Sequence, residues 1–208
     1  MRRFSRKIDV EAVIRRGLYQ ELILVMAFIE QQDYQTDTYV SEFSEKLLSG
    51  GQGIKVSKYI DLVSVSNVSS DEYDLEDTFK QGLPNYIRKS QLLMLWSMLE
   101  DTLKVIIEKL SINKNIQFRK KARQNESIFH YYIYKMETIN GDNEHTLSSI
   151  NSVSFLDDNV REIRNSLVHG RLPKVSHDEI EVMETDILIS GKYIREVCMS
   201  INELAMCL

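Results

Sequence analysis

Proline, glycine and cysteine are all scarce in this sequence. Two prolines and eight glycines among 208 residues argue against a β-rich fold with many tight turns, because such turns draw heavily on both residue types. The two cysteines, Cys198 and Cys207, lie nine positions apart within one predicted helix and are too far apart along it to form a disulfide. We predict that both are reduced core thiols.

The sequence also lacks a long apolar run and an excess of positive charge. Its longest apolar run covers residues 22–29, whereas a membrane span needs about 20 apolar residues. Met1 is followed by charged residues rather than by the apolar core of a signal peptide. These features predict a cytoplasmic protein without a membrane partner. The net charge of −5 excludes a general nucleic-acid coat, so any RNA contact must be local.

Apolar residues at helical spacing dominate what the sequence does contain. The composition, 43% hydrophobic and 27% charged, is ordinary for one soluble domain of this length. The spacing predicts helices over residues 10–29, 38–48, 70–82, 84–110, 128–140, 157–169 and 177–204. The capping box from Ser176 to Glu179 is expected to open the last of them. Residues 53–69 have no clear period, and we expect a loop or a hairpin there. The fold class predicted is a single all-α domain.

The same spacing predicts which side chains are buried. Residues 22–29 are expected to be buried on most sides of their helix. Further inward residues are Tyr86, Leu93, Trp96, Leu99, Leu103, Ile106, Ile107, Leu110, Ile128, Phe129, Tyr132, Ile133, Met136, Ile180, Met183, Ile187, Ile194, Val197, Ile201 and Leu204. The aromatic residues near position 130 suit either core packing or the stacking of RNA bases.

The helix over residues 157–169 has an apolar and a polar set of side chains. The apolar residues are Val160, Ile163, Leu167 and Val168. The polar residues are Arg161, Arg164, Asn165 and His169. Ser154 is the expected N-cap. Gly170 is expected to leave the helix in a left-handed conformation, and Pro173 prevents the helix from resuming.

The spacing of the polar residues bears on assembly. Asn165 and His169 are about 40° apart around a helix, so they share a face. Arg164 and His169 are about 140° apart, which separates the two side chains within one chain. We therefore expect a homodimer in which two copies of this helix meet.

The segment Arg164-Asn165-Ser166-Leu167-Val168-His169 resembles the motif of HEPN domains, an arginine and a polar residue followed after three more positions by a histidine. The segment Trp96-Ser97-Met98-Leu99-Glu100 is similar to an early core helix of that family. The resemblance implies an antiparallel helical bundle that dimerises, with its HEPN-like core over residues 85–208 and residues 1–84 as extra N-terminal helices. Many members of the family are metal-independent endoribonucleases in toxin–antitoxin and other defence systems.

The chemistry implied by the resemblance is RNA cleavage without a metal or cofactor. The ribose 2′-OH attacks the adjacent phosphorus and leaves a cyclic phosphate and a 5′-OH. His169 is the candidate acid or base, because histidine is the side chain that titrates near neutral pH. The planar fork of Arg164 suits the charged phosphorane, and Asn165 can bind the phosphate or hold the imidazole tautomer. Arg161 is a candidate RNA contact on the same helix.

Other candidate residues lie outside the motif. Glu100 is either an ordinary surface acid or the carboxylate that orients Arg164. The basic run comprises Arg119, Lys120, Lys121 and Arg123 and is either a solvated segment or an RNA-backbone contact. His130 and His145 have no partner at metal-ligand spacing, so no metal site is predicted and these two histidines are interpreted as incidental. His177 is interpreted as a surface residue rather than a second catalytic histidine.

Two alternative functions come from other classes of protein. One is a non-catalytic HEPN module that dimerises and binds a partner or a nucleotide. The other is the HEPN half of a toxin pair that a nucleotidyltransferase antitoxin silences. Some such toxins carry a modified tyrosine two positions after the histidine, where this sequence has Arg171.

Overall fold

The computed structural model describes residues 9–48, 54–55, 61–62, 64–65, 68–69, 74, 77–118, 126–141, 146–183 and 186–208. The protein is predominantly helical, which confirms the predicted all-α class. Its α-helices are α1 (Val10–Arg15), α2 (Gly17–Leu48), α3 (Leu83–Lys114), α4 (Ile128–Asn140), α5 (Asn151–Ser154), α6 (Arg161–His169) and α7 (Gly191–Cys207). Antiparallel strand pairs are β1 (Ile54–Lys55) with β2 (Asp61–Leu62), β3 (Ser64–Val65) with β4 (Val68–Ser69), and β5 (Ile180–Val182) with β6 (Ile187–Ile189). The first two pairs lie within residues 53–69, for which the sequence predicts a loop or a hairpin.

The helices group into two compact units. One comprises Met1–Met26 together with Leu92–Leu208, and the other comprises Ala27–Gln91. The expected boundary between residues 84 and 85 falls inside the second unit. All the candidate site residues lie in the sequence range of the first unit.

The first helix begins at Val10 as predicted, but it ends at Arg15 and α2 continues from Gly17. Asp9 caps α1 by accepting a hydrogen bond from the backbone N–H of Ala12 at 3.1 Å. The predicted break between residues 29 and 38 is wrong, because α2 runs through it. This polar stretch contains no proline or glycine. Thr36 and Thr38 hydrogen-bond to backbone carbonyls four residues earlier, so their hydroxyls do not compete with the helix.

The apolar run over residues 22–29 is buried on one side only. Leu22 and Ile29 are buried, whereas Ile23, Leu24 and Phe28 are 46%, 65% and 51% exposed. The expectation of burial on most sides is therefore wrong. A helix that packs along one stripe leaves its remaining faces in solvent, whatever the local composition.

The helix before Trp96 also continues past its predicted ends. Residues 78–82 form a π turn that leads directly into α3, so the predicted break between residues 82 and 84 is wrong. The N–H of Leu83 reaches the carbonyl of Thr78, five residues back. This wider turn just before Pro84 accommodates a residue that has no N–H to donate.

The core of the first unit is built around α3 and α4. Trp96 and Phe129 pack with ring centroids 5.4 Å apart, and Leu99, Leu103 and Leu110 are fully buried. These inward positions were predicted. Other predicted inward positions are instead exposed, namely Tyr86, Ile128 and Met183. Trp96→Ala is expected to lower the free energy of unfolding by about 3–5 kcal/mol.

The predicted helix over residues 177–204 is wrong in its first third. Residues 180–189 form the hairpin β5–β6, with Ile180 opposite Ile189 and Val182 opposite Ile187. Helix α7 begins only at Gly191, where the Ser190 side chain accepts from the backbone N–H of Tyr193 at 3.1 Å. Ser190 is thus the functional cap, and the Ser176–Glu179 pattern is not one. Both cysteines are free thiols, but only Cys198 is buried and Cys207 is exposed.

Candidate active site

The candidate active site lies on one continuous helical stretch, residues 151–169, which we call the motif helix. It consists of α5, a π-helical segment over Phe155–Val160, and α6. The stretch begins at Asn151, before the predicted N-cap, so Ser154 is an interior residue and not the N-cap. Buried Val153, Leu156, Val160 and Ile163 attach one side of the helix to the core.

The end of the motif helix is built as the sequence predicts. The helix ends at His169, and Gly170 adopts φ 60° and ψ 37°, the left-handed conformation. The backbone N–H groups of Gly170 and Arg171 both donate to the carbonyl of Ser166. The chain therefore turns away directly after His169, and the imidazole stands at an open helix end.

The side chains of Arg164 and Asn165 are joined. Arg164 Nη1 donates to Asn165 Oδ1 at 2.9 Å, and both residues are half-buried. The guanidinium is thus turned toward Asn165, which shares a helix face with His169. His169 is exposed, and its imidazole has no hydrogen-bond partner among the residues that the structure describes.

Asp157 anchors two other side chains near the start of this face. Its Oδ1 accepts from Arg161 Nε at 2.7 Å and from Ser127 Oγ at 2.8 Å, and its Oδ2 lies 3.6 Å from His130 Nδ1. The interpretation of His130 as incidental missed this contact. The four-residue spacing of Asp157 and Arg161 predicts their ion pair. The sequence contains no signal that α4 packs against the same carboxylate.

The first half of the motif helix is held by a cluster of rings. Tyr193 is fully buried, and its hydroxyl donates to Asn159 Oδ1 at 2.5 Å. The His177 ring packs against Tyr193 and Phe155, with centroids 4.9 Å and 5.7 Å away. His177 Nδ1 accepts from the N–H of Glu179, and Nε2 lies 3.4 Å from a Glu196 oxygen. His177 is therefore a largely enclosed packing residue rather than the surface residue expected.

The buried hydroxyl of Tyr193 leads to a prediction on alkaline stability. Burial, with a smaller effect of the charge on Glu196, raises the pKa of Tyr193 far above the value of about 10 for a free tyrosine. A raised pKa in the folded state means that the neutral hydroxyl stabilises the fold fully below pH of about 10 and progressively less above it. Wild-type protein should therefore lose stability above that pH more steeply than Tyr193→Phe does.

Urea unfolding midpoints measured at neutral and alkaline pH test this prediction. Tyr193→Phe should cost roughly 1 kcal/mol near pH 7, because it removes the hydrogen bond to Asn159. The matched control is Tyr86→Phe, since Tyr86 is 71% exposed. Identical pH dependence of wild type and Tyr193→Phe would show that the buried hydroxyl does not titrate with unfolding.

The remaining candidate residues were expected from the sequence to support the motif. Within the described part of the chain, no hydrogen bond or ion pair joins Glu100 to Arg164. The charge of Glu100 acts instead on Tyr132, whose pKa is raised mainly by burial and secondly by this carboxylate. Arg119, Lys120, Lys121 and Arg123 lie outside the described residues, as does His145.

Neither a metal cluster nor a membrane span is found in the ranges that the structure describes. No group of three or more His, Cys, Asp or Glu residues there is arranged to hold a metal ion. None of the helices in those ranges combines the length and apolarity needed to cross a membrane. No protein-family model, curated protein or solved structure matches the chain. A functional assignment therefore depends on the motif and on the geometry around it.

Proposed function

We propose that this chain is a metal-independent endoribonuclease of the HEPN type, with Arg164, Asn165 and His169 as its catalytic residues. The observation that carries the proposal is the hydrogen bond from Arg164 to Asn165 at 2.9 Å, four residues before the exposed His169. The bond joins a guanidinium fork to an amide on the helix face that it shares with the imidazole. These are the groups that transesterification of RNA requires.

The reaction needs two proton transfers. A base removes the proton of the 2′-OH, and O2′ then forms a bond to phosphorus. The bond from phosphorus to O5′ breaks, and O5′ takes up a proton from an acid, which leaves a 2′,3′-cyclic phosphate and a 5′-OH. His169 can serve in one transfer, while the fork of Arg164 binds the phosphorane oxygens. A second copy of the chain would bring a second His169 for the other transfer.

We predict a two-fold homodimer assembled through the end of the motif helix. Val168 and Leu172 flank His169 and are 52% and 45% exposed, although Val168 was expected on the apolar face. Val168→Asp should shift the protein to monomer, because a charge in an apolar interface stays desolvated and unpaired. Light scattering at micromolar concentration measures this, with exposed Met206→Asp on α7 as control. A monomeric wild type would contradict the prediction.

The experiment that tests the proposed activity is RNA cleavage in EDTA. Purified protein should cut single-stranded RNA under these conditions and leave DNA of the same sequence intact, because DNA lacks the attacking 2′-OH. Activity that disappears with EDTA and returns with a divalent cation would point to metal-dependent hydrolysis instead. A protein that binds a partner through this helix end but never cleaves RNA would favour the non-catalytic HEPN module.

The cellular role that we propose is that of a toxin or defence effector in the cytoplasm. Two free thiols, Cys198 and Cys207, suit a reducing compartment. An endoribonuclease of this kind needs restraint in its own cell, which an antitoxin or nucleotidyltransferase partner would provide. Co-expression with the genes adjacent to its own tests for such a partner by rescue of cell growth.

A further inference from the structure

We infer that Arg161 on the motif helix and His130 on α4 form a second contact for RNA on either side of Asp157. The ligand is a backbone phosphate of the same RNA strand, some nucleotides away from the bond that is cut. The inference rests on the proposed function, since it describes how the substrate of that site is held.

The guanidinium of Arg161 is fixed at one edge. Its Nε donates to Oδ1 of Asp157 at 2.7 Å and to the carbonyl of Asp157 at 2.9 Å. Among the described residues, none accepts a hydrogen bond from its Nη1 or Nη2. An arginine held through Nε presents those two nitrogens as a fork of fixed direction, which is the geometry that binds phosphate oxygens.

His130 is held on the opposite side of the same carboxylate. Its backbone N–H donates to Ser127 Oγ at 2.9 Å, and that hydroxyl donates to Asp157 at 2.8 Å. The ring places Nδ1 3.6 Å from Asp157 Oδ2 and remains 52% exposed. Its other nitrogen, Nε2, has no partner among the described residues. The fork of Arg161 therefore lies on one side of a half-buried carboxylate, and Nε2 of His130, a donor when the ring carries both protons, lies on the other.

The position of this pair identifies the ligand as part of a longer strand. Arg161 and His169 are eight residues apart within α6, which corresponds to about 12 Å along a helix. A single nucleotide cannot bridge that separation, whereas a single strand with several phosphates can. Asp157 fixes the direction of Arg161, while the guanidinium keeps its charge and can displace a counterion from one phosphate. The contact is therefore local, in keeping with the net charge of −5.

A purely structural brace is the alternative reading of the same contacts. Asp157, Ser127 and Arg161 join α4 to the motif helix, and such a link stabilises the fold whether or not RNA binds. The two readings differ in one respect. A phosphate contact affects only strands long enough to reach it, and it releases counterions when it forms.

The test is RNA binding by the full-length His169→Ala protein, in which the bound strand stays uncut. Fluorescence anisotropy is used with a labelled oligonucleotide of about a dozen nucleotides, and competition by a dinucleotide reports the short ligand. Adding Arg161→Ala or His130→Ala should weaken binding of the long strand by roughly tenfold each and leave the dinucleotide unchanged. The slope of log K against log salt should fall by about 0.7 for Arg161→Ala.

Two further variants keep the result interpretable if Arg161→Ala unfolds. Arg161→Lys retains the charge and one bond to Asp157 but loses the fork, and it should still weaken the long strand severalfold. Lys109→Ala removes an exposed charge from α3 and should change neither ligand. Equal losses on both ligands with an unchanged salt slope would establish the brace and overturn the inference. If the wild type cuts RNA while Arg161→Ala and His130→Ala bind the long strand normally, this contact alone is overturned. If the chain binds no RNA, the proposed function is overturned with it.

Discussion

Replacing His169 with alanine is expected to lower the rate of RNA cleavage by roughly 10²- to 10⁴-fold, the usual contribution of a positioned acid or base. The effect should appear in kcat, because His169 moves a proton in the transition state and has little part in holding the strand. His169→Gln keeps the size and hydrogen bonding of the side chain but cannot titrate near neutral pH. It should be as inactive as His169→Ala.

The stability of these variants separates chemistry from folding. His169 is exposed and has no hydrogen-bond partner among the described residues, so both substitutions should change the free energy of unfolding by less than about 0.5 kcal/mol. Thermal melts of the wild type and the two variants measure this. A variant that melts normally and still cuts RNA at the wild-type rate would remove His169 from the mechanism.

Replacing Arg164 with alanine is expected to lower kcat by roughly 10²- to 10³-fold, because a donor directed at the developing phosphorane charge is lost. Arg164→Lys preserves the charge but not the planar fork, and we expect it to recover only a small part of the activity. Arg164→Ala also removes the bond to Asn165. Asn165→Ala removes the same bond but keeps the guanidinium, so we expect a smaller decrease in kcat.

Arg171→Ala is the matched control for Arg164. Arg171 lies at the same end of the motif helix. It is half-exposed, and its Nη2 lies 3.7 Å from Glu162 Oε2 in a long ion pair. Such a surface pair contributes little to stability, and its loss should leave cleavage within about twofold of wild type. Equal losses in Arg164→Ala and Arg171→Ala would show that general positive charge matters and that the motif position does not.

The end of the motif helix could be predicted because its causes are local. A glycine that adopts φ 60° after His169 and a proline three residues later are both visible in the sequence. The buried stripe around Trp96 and Leu99 was visible for a similar reason. Apolar residues at helical spacing specify a buried face without reference to their partners.

The hairpin over residues 180–189 could not be predicted in this way. Ser176 and Glu179 carry the local signature of a helix start, yet the paired isoleucines Ile180 and Ile189 form strands. Cross-strand pairing is not recorded in either segment alone, and tertiary context overrides local propensity. The same applies to the polar stretch of α2, where Asp33 is bound by Gln91, 58 residues later.

The candidate site was predicted in part for the same physical reason. Arg164, Asn165 and His169 lie within six consecutive residues, so helix geometry alone relates them. The contacts of Asp157 with Ser127 and His130 join α4 to the motif helix, and the sequence contains no signal for that approach. The pairing of Glu100 with Arg164 was also a non-local expectation, and no hydrogen bond joins these two described residues.

The most direct measurement of the central claim uses an RNA strand with one 2′-deoxy nucleotide placed immediately 5′ of the mapped cleavage point. In EDTA, wild-type protein should cut the all-ribose strand, leave a 2′,3′-cyclic phosphate and a 5′-OH that mass spectrometry identifies, and fail to cut the substituted strand at that point. Cleavage of the substituted strand at the same point, or products that carry a 5′-phosphate, would contradict transesterification by the 2′-OH and with it the assignment of Arg164 and His169.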